Sequence, residues 1–125
     1  MDLLVTIATY FLIVFFTFAS CVKLLSVPKA LFEWQMSFFK LYGLTRVHMY
    51  MVGVFEFSGV LLMAYALWSQ NALFSFLGAG FILCASVGAL YFHFRYDKFR
   101  FAVPAIVTLI TSTIVTLDGF ATLQL

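Results

Sequence analysis

Charge is what this sequence has least of. Of its 125 residues only 10% are Asp, Glu, Lys or Arg, while 65% are hydrophobic. A soluble globular domain carries about 25% charged residues, so that class is excluded and a polytopic membrane protein is indicated. The basic residues are few and fall between apolar runs, which gives no basis for a nucleic-acid surface. Cysteine is scarce too. Cys21 and Cys84 both lie inside apolar runs, with no Cys-x-x-Cys pair and no loop cysteine. Thiol–disulfide exchange needs paired, accessible thiols, so a thiol oxidase is not indicated and both cysteines read as small packing residues. His48 and His93 have none of the usual ligand spacing, so no metal site is expected. Internal repeats, linkers and low-complexity tracts are missing, and the length fits a single domain over residues 1–125.

What is present is a set of long apolar runs, over about 3–25, 47–68, 73–93 and 102–123. Each has the roughly 20 residues that cross a bilayer core about 30 Å thick. Asp2 is the one charged residue before the first run, so that run reads as a span rather than a signal peptide, which needs a basic start. Phe18-Ala19-Ser20-Cys21 loosely resembles a lipoprotein cleavage site but lacks that same start. Residues 28–42 differ in kind. Lys29, Glu33, Ser37 and Lys40 recur on one helical face, with Leu31, Phe32, Trp34, Phe38, Phe39 and Leu41 around much of the remainder. That pattern predicts an amphipathic helix lying in the interface, with Ser26 as its cap, Pro28 in its first turn and Gly43 as its stop. Ser69-Gln70-Asn71-Ala72 reads as a tight connection, and Phe94 to Phe101 as a short charged loop. The expected fold is all-α, a four-transmembrane-helix bundle with an interfacial helix between the first two spans and antiparallel neighbours.

Lys23, Lys29, Lys40 and Arg46 flank the first connection, and Arg95, Lys98 and Arg100 sit in the third. The termini and the second connection have no Lys or Arg. By the positive-inside rule both termini are expected on the non-cytoplasmic side, in a membrane of the bacterial inner type. One carboxylate, Glu56, lies inside a span. A charge at mid-span costs about 2.5–3.5 kcal/mol on insertion scales, so it is expected to face the protein and to have a partner. Gly53, Glu56 and Gly59 fall within about a third of the helix circumference, where the glycines let another helix approach the carboxylate. Counted from the inner ends of their spans, Lys23, Glu56 and His93 all fall in the inner half of the bundle. A polar pocket formed by these three is therefore expected. The Thr108, Ser112, Thr116 stripe reads as ordinary helix-packing hydroxyls, and Asp118 as solvated at the far end.

The features in order also carry a resemblance. Ala19-Ser20-Cys21-Val22-Lys23 closes the first span, an amphipathic connection follows, and Gly53-Val-Phe-Glu56-Phe-Ser-Gly59 lies on the second. Tyr91-Phe-His93-Phe-Arg95-Tyr-Asp97 closes the third, and Pro104 opens the fourth. Over about residues 5 to 120 this resembles the DoxX-like family of small four-helix membrane proteins, to which the animal acetylcholine-receptor assembly chaperone looks distantly related. The resemblance implies Lys23, Glu56 and His93 as a shared polar core, with Arg95 and Asp97 bracing the inner loop. It also implies two kinds of function, since some members are associated with membrane redox systems and the chaperone-like relative with assembly of other membrane proteins.

The leading expectation is an accessory subunit of a membrane redox system, rather than a stand-alone enzyme, holding a quinone or another lipophile such as a lipid. The alternative is a chaperone whose partner helices dock on the small residues of the third span (Gly78, Ala79, Gly80, Ala85, Ser86, Gly88, Ala89), with oligomers allowed. A proton-coupled transporter is the weaker alternative, because four short spans without broken helices leave little room for alternating access.

Overall fold

The computed structural model describes residues 2–124 and contains five α-helices. They are α1 (Leu3–Leu25), α2 (Lys29–Leu41), α3 (Arg46–Ser69), α4 (Ala72–Tyr96) and α5 (Phe99–Gln124). All except α2 are long and apolar enough to cross a membrane. Around the bundle the order is α1, α3, α4, α5 and back to α1, and α2 lies outside that ring. Successive helices of the ring run antiparallel, as short connections require. The core is made by Leu12 and Phe16 of α1, Val60 and Met63 of α3, Ala79 and Ile82 of α4, and Val115 of α5. Within the most apolar stretch of each span only 28–39% of residues are buried inside the protein. The outward positions, such as Val14, Leu61, Val87 and Ile110, are also apolar. So much exposed apolar surface on helices that satisfy their own backbone needs an apolar solvent, which fits an integral membrane protein.

The helix ends show why the chain turns where it does. Asp2 caps α1 by accepting the Val5 amide at 2.9 Å. Ser26, read from the sequence as the cap of α2, instead ends α1 in the left-handed region at φ 61°. Its amide donates to the Val22 carbonyl at 3.1 Å, so this residue stops one helix rather than starting the next. Gly43 closes α2 at φ +80°: its amide donates to Lys40 and that of Leu44 to Phe39, a Schellman motif. His48 Nδ1 accepts the Thr45 amide at 3.1 Å, which makes His48 an end-cap of α3. Between α3 and α4 only two residues intervene. Gln70 adopts φ 55° and Asn71 caps α4 by accepting the Leu73 amide.

Two expectations are corrected at the third connection. Residues 94–101 are not a charged loop: α4 runs on to Tyr96 and α5 starts at Phe99, leaving Asp97 and Lys98 as the break. Charged side chains at a membrane surface are compatible with helix, because they project into water while the backbone stays bonded. Pro104 accordingly does not open α5 but lies inside it. It has no N–H to offer the Arg100 carbonyl one turn earlier, so one bond of the second turn of α5 is missing. In the hydroxyl stripe Thr108, Ser112 and Thr116 each donate to a carbonyl three or four residues back. Thr108 Oγ1 also meets Ser86 Oγ at 2.8 Å across the α4–α5 interface.

Candidate functional site

The carboxylate inside α3 has the partner its burial demands. Lys23 Nζ lies 3.0 Å from Glu56 Oε1. Both residues are buried, at 8% and 6% exposure. The last turn of α1 and the middle of α3 can come this close because Gly53 lies one turn before Glu56. A Cβ there would sit 3.0 Å from Lys23 Cβ and 3.1 Å from the Leu24 side chain. Gly59 serves a different neighbour: its missing Cβ makes room for the Gly78 carbonyl and Ile82 of α4. The two glycines that share one stripe in the sequence therefore admit two helices, α1 and α4.

Beside the ion pair is a cavity of about 670 Å³, in the size range of small-molecule sites. It lies toward the helix ends where the Lys and Arg residues gather. Lys23, Glu56 and His93 all line it. Its walls are mostly apolar and rich in aromatic rings, with Phe16, Phe55 and Phe92 from the ring of spans and Trp34, Phe38 and Phe39 from α2. The amphipathic helix thus forms one wall, while Lys29, Glu33, Ser37 and Lys40 remain exposed on its other side. Cys84 lines the same cavity and is exposed, which corrects its reading as a packed residue. It lies two positions from Ile82 and Ser86, so it points away from the side of α4 that enters the core.

His93 makes its polar contacts elsewhere in the cavity wall. Its Nδ1 lies 2.9 Å from the Asp97 carboxylate, one turn on, and 3.0 Å from the Tyr42 hydroxyl. Tyr42 donates to Asp97 Oδ2 at 2.5 Å. With the tyrosine proton committed to Asp97, the arrangement favours Nδ1–H on His93, leaving Nε2 as its acceptor. Sequence reasoning missed Tyr42, which ties the end of α2 to the end of α4 and stacks on Phe92 with centroids 5.0 Å apart. The i, i+4 spacing of His93 and Asp97 was visible; the third member, 51 residues away from His93, was not. Arg95 is exposed and lies over the Tyr96 ring, outside this group.

Burial, and then the bonded and charged Asp97, hold the Tyr42 phenol above its usual range. Because the folded value is the higher one, the tie is fully present below the unfolded value of about 10 and is lost as pH rises above it. Tyr42→Phe removes both contacts of the hydroxyl while keeping the ring. It is expected to raise amide hydrogen exchange across residues 29–41 several-fold and leave α3 unchanged. Exchange in α2 equal to that of the unaltered protein would show that the aromatic contacts alone hold the helix.

At the opposite end a smaller cavity, about 400 Å³, is lined by Thr6, Gln70, Ser75 and Asp118 among others, with Asp118 half-buried at its wall. Among the described residues no three His, Cys, Asp or Glu side chains could share a metal ion. Of the small residues of α4, Gly78, Ala79 and Ser86 are buried, Ala85, Gly88 and Ala89 line the large cavity, and a Cβ on Gly80 would meet nothing within 4 Å.

Neither a curated protein nor a solved structure gives a significant match to the chain. Residues 7–115 do match the DoxX-like family, a stretch that holds α2, α3 and α4 whole, most of α1 and α5, the buried Lys23–Glu56 pair and the Tyr42–His93–Asp97 group. This small integral membrane protein belongs to the DoxX-like family.

Proposed function

We propose that the protein is an accessory membrane subunit that holds a quinone or another lipophile for a redox system, in the cavity between α2 and the ring of spans. One observation carries this reading. A mostly apolar cavity of ligand size, rich in aromatic rings, lies beside a buried ion pair. Such a cavity binds flat apolar molecules and orients them by their polar end. The distribution of Lys and Arg supports placing the cavity toward the cytoplasmic leaflet and both termini outside, in an inner-type membrane. In this reading the chain binds and positions, and electron transfer falls to a partner. Assembly of other membrane proteins finds less support, because Gly78, Ala79 and Ser86, three of the small α4 residues that would receive a partner helix, are buried within the chain.

The test is mass spectrometry of small molecules and proteins in one sample purified in mild detergent. A lipophile near one equivalent is expected, reduced at least tenfold by Gly88→Phe. That substitution places a ring in the cavity at a position where a Cβ meets nothing within 4 Å, and leaves every charge in place. A stoichiometric membrane-protein partner without any small molecule would overturn the proposal and favour the assembly role.

A further inference from the structure

We infer that the cavity selects a neutral lipophile whose head carries a hydroxyl, a phenol or hydroquinone, over its ketone or ether counterpart. This rests on the ligand-holding reading above and narrows it. An ammonium has three hydrogens to give and a carboxylate has about four positions to receive them. The contact between Lys23 Nζ and Glu56 Oε1 brings the two charges to 3.0 Å. That contact is an ion pair outside hydrogen-bonding geometry, since Glu56 Oε1 is buried and has no hydrogen-bond partner. Among the described residues neither side chain makes a further polar contact. The cavity therefore presents a spare donor and a spare acceptor side by side, within mostly apolar walls.

A hydroxyl is the smallest neutral group that answers both, donating to Glu56 and accepting from Lys23. A quinone carbonyl or an ether oxygen only accepts, so it engages Lys23 and leaves the carboxylate without a donor. A charged head fares worse, because the pair is neutral overall: an anion meets Glu56 and a cation meets Lys23 at close range. Gln35 of α2 adds to this. It lines the same cavity, and its Oε1 is buried without a hydrogen-bond partner. An amide also both gives and receives, so it adds a second unmet polar group to the cavity wall. The aromatic walls fit a ring as the body of the ligand.

The experiment is isothermal titration of the full chain in detergent, under argon, with three probes of nearly equal shape: trimethylhydroquinone, its dimethyl ether and trimethylbenzoquinone. The hydroquinone is expected to bind at least tenfold tighter than either of the others. A site built for a hydroxyl rejects the analogue lacking it by leaving its own polar groups unmet. In the Lys23→Met, Glu56→Leu double variant this preference is expected to fall below twofold while all three probes still bind. Equal or tighter binding of the quinone or the ether by the unaltered protein would overturn the hydroxyl inference and leave the cavity reading standing. No binding of any probe would overturn both.

Discussion

Glu56→Leu is expected to lower the stability of the bundle in detergent by about 3–5 kcal/mol, and Lys23→Met by a comparable amount. Each leaves the other charge buried without a counter-ion, at 8% exposure for Lys23 and 6% for Glu56. The double variant Lys23→Met, Glu56→Leu is expected to recover most of the loss. Two apolar side chains of similar volume replace two buried ions, and such exchanges are often neutral or stabilising. The readout is a double-mutant cycle on thermal or denaturant unfolding, whose coupling term isolates the pair from the packing of each side chain. A double variant that simply adds the two losses would mean that the 3.0 Å contact contributes nothing to holding α1 on α3. Recovery of stability together with loss of ligand selectivity would separate the two roles of the pair. The ions would then serve recognition, at a cost in stability that an apolar core avoids.

The second large effect is expected at the α3–α4 crossing. A Cβ on Gly78 would lie 2.8 Å from both the Gly59 carbonyl oxygen and the Met63 amide nitrogen, and 2.7 Å from Met63 Cγ. The Met63 side chain can turn aside, but the two backbone atoms cannot, so the helices must separate. Gly78→Ala is therefore expected to cost about 1–3 kcal/mol, the range of overpacked cores. Gly88→Ala, on the same helix, is the matched control: its Cβ meets nothing within 4 Å, and it is expected to be neutral or slightly stabilising. Equal stability of the two variants would show that the crossing is loose and that small residues are not what sets its distance. In membranes this contact matters more than it would in water, because lipid tails compete with side chains for every apolar surface. Close backbone approach is then a main source of helix association.

The spans, and much of the polar site, were legible because both are set by distance along the chain. A run of apolar residues fixes where a helix enters and leaves the bilayer, and a rise of about 1.5 Å per residue fixes the depth of each side chain. By that arithmetic Lys23 lies near the inner surface and Glu56 about nine residues deeper, a difference that the reach of the two side chains lessens. Their contact needed one further fact that depth does not contain, which is that α1 neighbours α3 rather than standing across the ring. Gly53 hinted at a close approach without naming the helix, and Gly59, about 120° further round the same helix, turned out to serve α4.

Composition and periodicity by themselves determined that the chain is an all-α membrane protein, that it has four spans and an amphipathic helix, and that Glu56 must be paired. These follow from the cost of leaving apolar groups in water or a charge in hydrocarbon, and that cost is local to each segment. Tertiary structure alone decided the rest. It placed α2 as a wall of the cavity, joined Tyr42 to His93 and Asp97, and turned Cys84 toward that cavity instead of into packing. It also carried α4 and α5 through the charged residues read as a loop. Each of these depends on which helices are neighbours and how each is rotated about its axis. Rotation is settled by packing among residues far apart in the chain, so no single segment encodes it.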